Sequence, residues 1–400
     1  MTLPRLAADS TGPRPVRPAL RPQPRDRVQP QGQSPGRPQG QSQQQGQPPG
    51  QSQAAPADGA EAEAILHRTR AAVDPELLAA LDRLPASMRR VARYHFGWEH
   101  VDGTPATGGA GKAIRPALVL AAADALGGPA AREAALRAAA AVELVHNFTL
   151  LHDDVMDGDT TRRHRPTAWT VFGEPDAILA GDAMQALALR LLAEDPHPAS
   201  AAAASRLTGC VIELCAGQQA DTALESRDPA SVTLAEVLAM AEAKTGALLG
   251  CACAVGALYA GAAPADVAAL DAFGREAGLA FQLIDDIIGI WGDPGRTGKP
   301  VGADLAVRKK SLPVVAALTS GTPEAAELTR LYARPHDEGD TAHLERIGLA
   351  VERAGGRDWA QSQAADRMAR AVQELACAIP DPEEADGLLA LAEFVTRRTS

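Results

Sequence analysis

The sequence predicts an all-α protein, and three observations support that prediction. Aromatic residues make up only 3% of the 400 residues, and long runs of Ala and Leu favour helices over the β-branched and aromatic strands of a sandwich or barrel. Apolar residues recur three and four positions apart in 133–152 and 267–291, which is the helical period. The sequence shows no internal repeat and no strand-like alternation.

Helix starts are visible at three places. Each has a capping residue before a proline in the first helical turn: Asp74-Pro75-Glu76, Thr322-Pro323-Glu324 and Asp381-Pro382-Glu383. Asp381 and Glu384 also have the spacing of a capping box. A chain of about 340 residues in connected helices can bury one large core, so residues 58–400 are predicted to form a single domain.

Residues 1–57 have a different, low-complexity composition. Twelve Pro and twelve Gln fall within the first 60 positions. Such a segment buries too little apolar area to offset its chain entropy, so a disordered tail is predicted. The repeated Arg-Pro spacing at Arg14, Arg17, Arg21 and Arg25 leaves a second interpretation open, a docking arm that orders on a partner.

Charge is divided unevenly between the tail and the body. The first 60 residues carry a net charge of +4 and the remainder −15, within a total of −11. An acidic body does not suit nucleic acid, because phosphate contacts dominate that affinity, and no nucleic-acid partner is expected. The charge-free stretch 245–265 is mostly Ala and Gly, so it is predicted to be a buried helix and not a membrane span.

The cysteines and the N-terminus favour a cytoplasmic location. No long apolar stretch follows Met1, so no signal peptide is expected. The five cysteines include no Cys-x-x-Cys pair. They are predicted to be small core residues in a reducing compartment.

The strongest functional pattern is His152-Asp153-Asp154-Val155-Met156-Asp157, at the end of a helix predicted for 133–157. Asp153 and Asp157 are four residues apart, so their carboxylates share one helix face and repel each other. Mg²⁺ would relieve that repulsion, since it prefers carboxylate oxygens and bridges them to phosphate. A solvated acidic patch is the alternative, but it does not explain why the carboxylates directly follow an apolar face.

A second acidic pair, Asp285-Asp286, lies inside the apolar stretch 281–289. Two carboxylates in such a stretch are costly unless they are paired or bound to metal. Two such helices facing each other would hold cations between them. Those cations would bind a diphosphate and stabilise it as a leaving group.

Basic residues accompany both acidic motifs. They are Arg162 and Arg163 after the first motif, Lys112 and Arg115 after a Gly-rich turn, and Lys299, Lys309 and Lys310 beyond the second motif. Each residue alone would indicate only a surface charge. Together they predict two anion pockets beside one metal cluster.

From about Glu61 to the C-terminus, these motifs in this order resemble the trans-isoprenyl diphosphate synthases, the polyprenyl synthetase family, and among them the geranylgeranyl diphosphate synthases. The resemblance implies the isoprenoid synthase fold, an all-α bundle around a central cavity, usually assembled as a homodimer. It also implies a transferase that joins isopentenyl diphosphate to an allylic diphosphate with three Mg²⁺ ions.

The resemblance assigns roles residue by residue. Asp153 and Asp157 would bind two Mg²⁺ ions with support from Asp154. Asp285 would bind the third, with Gln282 one turn before it. The catalytic set would be Asp153, Asp154, Asp157, Asp285, Lys244 and Lys299. The allylic diphosphate would be held by Arg162, Lys244, Thr245 and Lys299, and isopentenyl diphosphate by Lys112, Arg115, His146 and Arg163. Gln218 and Asp221 resemble a supporting Gly-Gln-x-x-Asp motif.

The implied reaction is ionisation, condensation and elimination. The metals draw diphosphate from the allylic substrate, the double bond of isopentenyl diphosphate attacks the carbocation, and a proton is lost to the departing diphosphate. No strong side-chain base is required, which agrees with the lack of a Ser/His/Asp or Cys/His set. A closed apolar cavity would protect the cation from water.

Product length is predicted from Phe148 and Thr149, five and four residues before Asp153. At about 1.5 Å per residue, Phe148 lies about 7.5 Å below the metals. In the family, bulky residues at these positions form a floor. One aromatic at the fifth position and a small residue at the fourth resemble synthases of the twenty-carbon geranylgeranyl product. An ordinary core role for Phe148 is the alternative.

Two positions depart from the family pattern. Gly289 stands where the second motif usually ends in Asp, which leaves open a weakly active or non-catalytic subunit. The third cation needs only a ligand or two from this helix, so activity is expected to survive. His164 follows the paired arginines where Gly is usual. It is expected to alter the loop and to leave both arginines in place.

Four further interpretations remain open. The product could be the shorter farnesyl diphosphate, or the chain could be a non-catalytic subunit that tunes a partner synthase. A class I terpene cyclase shares the fold and the first motif, but it lacks a second diphosphate pocket and uses a second metal motif that is missing around Asp286. The tail resembles the N-terminal arms of similar enzymes packed into encapsulin shells, so residues 1–57 are a candidate shell-binding segment.

Overall fold

The computed structural model describes residues 57–106, 111–293, 301–334 and 340–396. These residues belong to one compact unit, which spans Ala54–Ser400. The predicted tail lies outside the described residues, apart from its last position at Ala57. Its disorder and the domain boundary at residue 58 therefore stay predictions.

The described chain folds as the predicted all-α bundle. In chain order its helices are α1 (Ala57–Leu81), α2 (Ala86–His95), α3 (Ile114–Ala134), α4 (Leu136–Met156), α5 (Ala168–Phe172), α6 (Glu174–Ala193), α7 (Ser200–Glu225), α8 (Leu234–Ala241), α9 (Ala247–Tyr259), α10 (Pro264–Trp291), α11 (Ala303–Ala306), α12 (Leu312–Leu318), α13 (Pro323–Ala333), α14 (Thr341–Arg353), α15 (Gly356–Ala378) and α16 (Pro382–Thr396). A π-helical turn, Glu242–Gly246, joins α8 to α9. Two-residue strands β1 (Thr161–Arg162) and β2 (Arg165–Pro166) pair antiparallel in a small hairpin.

Helices α4, α9 and α10 form the centre of the core. Residues 138–145 of α4 are buried without interruption, and α9 is buried along almost its entire length. Helix α9 packs between α3 and α10, while α10 also packs along α15 and α4 packs along α6. Small residues on α9 allow these close approaches. The Ala and Gly content of this helix, which makes a membrane span unfavourable, therefore favours close helix packing.

The predicted helix starts are confirmed at two of three places. Thr322 caps α13 by accepting a hydrogen bond from the Ala325 amide at 3.3 Å. Asp381 precedes α16 and accepts from the Glu383 amide at 3.0 Å. Helix α4 begins at Leu136, slightly after the predicted 133, because α3 continues to Ala134. Helix α10 agrees with the periodicity in 267–291.

The predicted start at Pro75 is wrong. Helix α1 runs continuously through Pro75 to Leu81. A proline inside a helix loses one backbone hydrogen bond, and tertiary packing has to offset that loss. Val73, Leu77 and Leu81 flank Pro75 and are fully buried against the core. That burial, which a local capping pattern cannot show, keeps the helix continuous.

The charge-free stretch 245–265 is a buried helix only as far as Tyr259, and positions 261 and 263–265 are exposed, so the prediction is only partly correct. Helix α9 ends at Tyr259, and α10 begins at Pro264. The helical stretch Leu234–Tyr259 is long and apolar enough to cross a membrane by length and composition, but 67% of its most apolar window is buried inside the fold. Core helices of globular proteins meet the same criterion.

The prediction for the cysteines is only partly correct. Cys210, Cys251 and Cys253 are buried, whereas Cys215 and Cys377 are exposed. All five thiols are free. Helical position, which the residue type does not reveal, decides which thiols reach the surface.

Helices α3 and α9 approach each other closely at Gly256. A Cβ at this position would overlap the carbonyl oxygen of Val119 and lie 2.8 Å from the Ala122 Cβ. Because the obstacle is backbone, a side chain here can be accommodated only by moving a helix.

We expect Gly256→Ala to lower the free energy of unfolding by about 1–3 kcal/mol, because overpacking displaces α3 from α9. The matched control is Gly387→Ala in α16, where a new Cβ would make only an ordinary 3.7 Å contact with Ile65. Urea unfolding followed by circular dichroism measures both changes. Equal midpoints for the two variants would contradict this account of the helix contact.

Candidate active site

Asp153 and Asp157 lie at the carboxyl end of α4, where the first acidic motif was predicted. The pKa of Asp153 is raised to about 6, mainly by burial; Lys244 opposes the rise and the neighbouring Asp157 carboxylate adds to it. Burial also raises the pKa of Asp157, again opposed by Lys244. Burial makes the charged forms of both carboxylates less favourable, and a bound cation would stabilise those charged forms.

Among the described residues, Asp154 is paired with an arginine, unlike Asp153 and Asp157. Its side chain is buried, and its Oδ1 accepts hydrogen bonds from Arg162 Nε and Nη2, each at 2.7 Å. The ion pair ties the β1–β2 hairpin to the end of α4. Asp154 therefore supports the motif by positioning Arg162.

Lys244 reaches the acidic motif from the π-helical turn. Its Nζ forms an ion pair with Asp221 Oδ2 on α7 at 2.6 Å. The turn can approach α7 because position 217 is glycine: a Cβ there would lie 2.6 Å from the Lys244 backbone nitrogen. Of the two residues predicted from the Gly-Gln-x-x-Asp motif, Asp221 is paired with Lys244, and Gln218 lines the same cavity as Lys244.

The second acidic pair divides into one exposed and one buried carboxylate. Asp285 is exposed, whereas Asp286 is 3% exposed. Asp286 Oδ2 accepts from the Leu312 amide at 2.9 Å, and its Oδ1 accepts from Gln282 Nε2 at 2.9 Å. Gln282 Oε1 accepts in turn from the Thr245 hydroxyl at 2.8 Å, which joins α10 to the residue after Lys244. Asp285 is therefore the more accessible carboxylate of the pair, and its role as a metal ligand stays a prediction.

Lys309 brings a cation into this second cluster. Its Nζ lies 3.3 Å from Asp286 Oδ1 and 3.5 Å from Asp304 Oδ2. Asp286 is the main cause of the raised pKa of Lys309, and Asp285 and Asp221 add to it. The Asp221–Lys244 pair thus interacts electrostatically with both acidic clusters.

Arg115 and His146, which were predicted to hold the second diphosphate, form a partly buried pair. Arg115 Nη1 donates to His146 Nε2 at 3.1 Å. Burial lowers the pKa of Arg115 to about 10 and that of His146 well below its usual value, so His146 is neutral. Arg163 lies against Gly111, whose positive φ of 79° and missing side chain make room for the guanidinium.

Two further lysines, Lys112 and Lys299, were predicted to bind diphosphate, and the structure describes only Lys112. Lys112 is exposed, and its Nζ lies 4.6 Å from the centre of the Phe394 ring on α16. Lys299 lies outside the described residues, so its predicted role stays a prediction. Arg163 faces a small cavity that it shares with Arg162, Asp154 and His95.

One cavity of about 210 Å³ joins the charged and the apolar parts of the site. Asp153, Lys244, Arg115 and His146 lie at its polar walls, and Phe148 lies at its apolar wall. The other lining residues are Thr149, Leu150, His152, Met156, Leu214, Cys215, Gln218 and Thr245. The cavity fits a molecule with an anionic head and a hydrocarbon tail.

Comparisons with known proteins agree with this geometry. The family model described as "Polyprenyl synthetase" matches residues 105–347, more than half of the chain. The chain belongs to the polyprenyl synthetase family. It is therefore a trans-prenyltransferase, and the fold and enzyme class expected from the sequence are confirmed.

Similar proteins cover almost the whole helical body. A geranylgeranyl diphosphate synthase of Mycobacterium tuberculosis is 48% identical over 84% of this chain and 94% of its own length. A (2E,6E)-farnesyl diphosphate synthase of the same organism is 45% identical over 82% and 90%. A crystal structure of a polyprenyl synthetase from Streptomyces coelicolor A3(2) superimposes with a TM-score of 0.79 at 44% identity, covering 83% of this chain and 98% of that one.

The departure from the polyprenyl synthetase pattern at Gly289 has a steric explanation. A Cβ at this position would overlap Asp304 Oδ2 and lie 2.5 Å from its Cγ. The carboxylate of Asp304, on α11, therefore fills the space beside α10 that a side chain at position 289 would need. Asp304 and Gly289 depend on each other, and only the structure shows this.

The departure at His164 leaves the paired arginines in place, as expected. Arg163 and His164 form the two-residue turn of the hairpin, with φ values of 51° and 61°. Both are left-handed conformations, which a two-residue hairpin turn needs and which Gly adopts without steric cost. His164 therefore keeps the turn at some conformational cost.

Sequence reasoning missed several residues of this polyprenyl synthetase site. Glu143 is 2% exposed within α4, and its pKa is raised by burial and lowered by Arg70 and Arg115. His95 on α2 is partly buried beside the paired arginines, and desolvation is the main cause of its lowered pKa of about 3. Glu143 was detectable as a lone carboxylate in an Ala/Val run. His95, by contrast, lies far from every motif in the sequence.

We expect Gly289→Asp to reduce activity instead of restoring a family feature. The new side chain would displace Asp304 and bring two carboxylates together. Product formation and thermal unfolding should both fall relative to wild type. Gly289→Ala adds the same Cβ without charge and separates the steric from the electrostatic effect. Full activity of Gly289→Asp at wild-type stability would contradict the role given to Asp304.

Proposed function

We propose that this enzyme condenses isopentenyl diphosphate with an allylic diphosphate and that its product is the twenty-carbon geranylgeranyl diphosphate. The observation that carries the proposal is the single cavity that joins Asp153 and Lys244 to Arg115, His146 and Phe148. Such a lining brings groups that bind anions next to an apolar wall that suits a prenyl tail. The similar protein of M. tuberculosis named geranylgeranyl diphosphate synthase supports the twenty-carbon product.

The two diphosphates would occupy different walls. We propose that the allylic diphosphate binds at the wall with Lys244 and Thr245, assisted by Arg162, Gln282 and Lys299. Isopentenyl diphosphate would bind at the wall with Arg115 and His146, assisted by Lys112 and Arg163. Arg162 and Arg163 line a neighbouring cavity and not this one. Guanidinium groups are the preferred partners of phosphate because they form paired, charge-assisted hydrogen bonds. Lys309 adds a further cation beside Asp285.

The carboxylates fit Mg²⁺ that is shared with the substrate. Among the described residues, no group of three or more His, Cys, Asp or Glu side chains could hold a metal ion by itself. Mg²⁺ commonly binds one or two carboxylates and takes its remaining ligands from water and substrate phosphates. We propose that Asp153, Asp157 and Asp285 hold three ions in this way. When bound, they would neutralise charge on the leaving diphosphate.

The protein's own residues would carry out the rest of the reaction. The carbon–oxygen bond of the allylic substrate breaks, and diphosphate leaves with the electron pair between Arg162 and Lys244. The double bond of isopentenyl diphosphate, held by Arg115 and His146, attacks the carbocation. The proton lost from the new chain goes to the departing diphosphate. The apolar wall at Phe148 excludes water from the cation.

Phe148 and Thr149 would set the product length. Phe148 is 4% exposed, and it lines the cavity together with Thr149. The Thr149 hydroxyl donates to the His146 carbonyl at 2.8 Å, so this small side chain is held back against α4. Farnesyl diphosphate is the second candidate product, supported by the 45% identical farnesyl diphosphate synthase. The comparisons favour either product over a terpene cyclase or a non-catalytic subunit.

A homodimer and a cytoplasmic location are also proposed. Ile178 and Leu179 on α6 and Ile212 on α7 are exposed to 41%, 48% and 67%. A second copy would cover these apolar side chains, and a monomer found by light scattering would contradict the dimer. The free thiols suit a reducing compartment. Recovery of the enzyme in the secreted fraction would contradict that location.

We further propose that residues 1–57 bind an encapsulin shell, which would place the enzyme inside a nanocompartment. The proposal is supported by the Pro- and Gln-rich composition of this segment. Deletion of 1–57 should abolish co-purification with a co-expressed shell and leave turnover at the wild-type rate. Unchanged co-purification would contradict the shell-binding role.

A product assay tests the proposed reaction directly. Purified enzyme is incubated with isopentenyl diphosphate, Mg²⁺ and, separately, five-, ten- and fifteen-carbon allylic primers. Dephosphorylated products are then identified by mass spectrometry. A twenty-carbon alcohol is expected from every accepted primer. A fifteen-carbon end product would establish the farnesyl alternative, and no product from any primer would contradict the proposed reaction.

We expect Asp153→Ala to lower the rate by about 100-fold or more, because even indirect metal contacts are worth 10- to 100-fold. Asp386→Ala removes an exposed carboxylate from α16 and should keep the wild-type rate. The same product assay measures both. A wild-type rate for Asp153→Ala would remove this carboxylate from the metal site.

A further inference from the structure

The predicted floor residue Phe148 lies in contact with a second ring. The imidazole of His152, one helical turn later on α4, lies 5.7 Å from the Phe148 ring, and their planes meet at 74°. This edge-to-face arrangement is a favourable one for two rings. Both side chains line the cavity that begins at Asp153 and Lys244.

His152 is fixed from the neighbouring helix α6. Its Nε2 lies 3.0 Å from the carbonyl oxygen of Ile178 and 3.8 Å from Asp182 Oδ1. A carbonyl only accepts hydrogen bonds, so Nε2 carries the hydrogen and donates it. The imidazole therefore has a defined orientation, with one side against α6 and the other against Phe148.

Gly181 on α6 provides the space in which this imidazole lies. A Cβ at position 181 would overlap His152 Nε2 and lie 2.6 Å from its Cδ2 and 3.2 Å from its Cε1. The atoms in the way belong to a side chain that can rotate. A larger residue at 181 would therefore be accommodated by moving the ring off α6, towards Phe148 and the cavity.

We propose that His152 and Gly181 are positioning residues that set the depth of the prenyl cavity and thereby the length of the product. The proposal rests on the proposed function, since it assumes that a growing prenyl chain occupies this cavity. Gly181 lets the imidazole lie against α6, and the imidazole holds the Phe148 ring at its present depth. Product length would thus be controlled by two helices, α4 and α6, instead of by one residue.

The test compares the product distributions of wild type, His152→Ala, His152→Gln and Gly181→Ala in the assay with the fifteen-carbon primer. Gly181→Ala should push the imidazole into the cavity and reduce the share of twenty-carbon product about tenfold, a change of about 1.4 kcal/mol between the two pathways. His152→Ala should let the Phe148 ring move towards α6 and give products longer than twenty carbons. His152→Gln keeps a donor for Ile178 but loses the ring that contacts Phe148, so it should also give longer products; a wild-type distribution for this variant would contradict the role of the ring contact.

Gly387→Ala, in which the new Cβ makes only an ordinary contact, controls for the exchange of glycine by alanine and should leave product length unchanged. A loss of stability alone would change the rate and not the ratio of chain lengths. If His152→Ala and Gly181→Ala both give the wild-type distribution, the proposal is wrong. If Gly181→Ala does not fold, His152→Ala decides alone. If wild type makes no prenyl product, the proposed function itself fails.

Discussion

The site depends on carboxylates placed at the least favourable end of a buried helix. Asp153, Asp154 and Asp157 lie in the last turn and at the C-cap of α4, and no basic residue of that helix accompanies them. The carboxyl end of a helix carries partial negative charge, which opposes further anions. Burial adds to the cost, as the raised pKa values of all three show. Compensation has to come from other parts of the chain or from bound cations.

Two neighbouring elements provide that compensation. The β1–β2 hairpin contributes Arg162 to Asp154, and the π-helical turn brings Lys244 to Asp153 and Asp157. The π-helical turn inserts an irregularity into an otherwise regular helix, a feature that recurs at functional sites. Gly217 allows this turn to lie against α7. The two irregular elements, the hairpin and the π-helical turn, thus place positive charge beside α4.

The second acidic cluster is stabilised differently. Asp286 is bound by the Leu312 amide, Gln282 and Lys309, so it holds α10 against α12. Asp285 stays exposed beside it. Asp304 takes the space next to Gly289, so the cluster contains three carboxylates although its sequence motif contains two. The basic pocket has a parallel arrangement, because buried Glu143 offsets part of the charge of Arg70, Arg115 and Arg163.

The sequence by itself determined the helical class, the course of α4 and α10, and the two acidic motifs. These features follow from local rules: helical periodicity, and the cost of carboxylates in apolar stretches. Tertiary structure decided the rest. Burial of the residues around Pro75 keeps α1 continuous. The ion pair between Lys309 and Asp286 joins α10 to a later segment of the chain. The fit of Asp304 against Gly289, of His152 against Gly181 and of His95 beside the paired arginines joins residues far apart in the chain. Such contacts arise only when separate helices share one core, so no local pattern in the sequence encodes them.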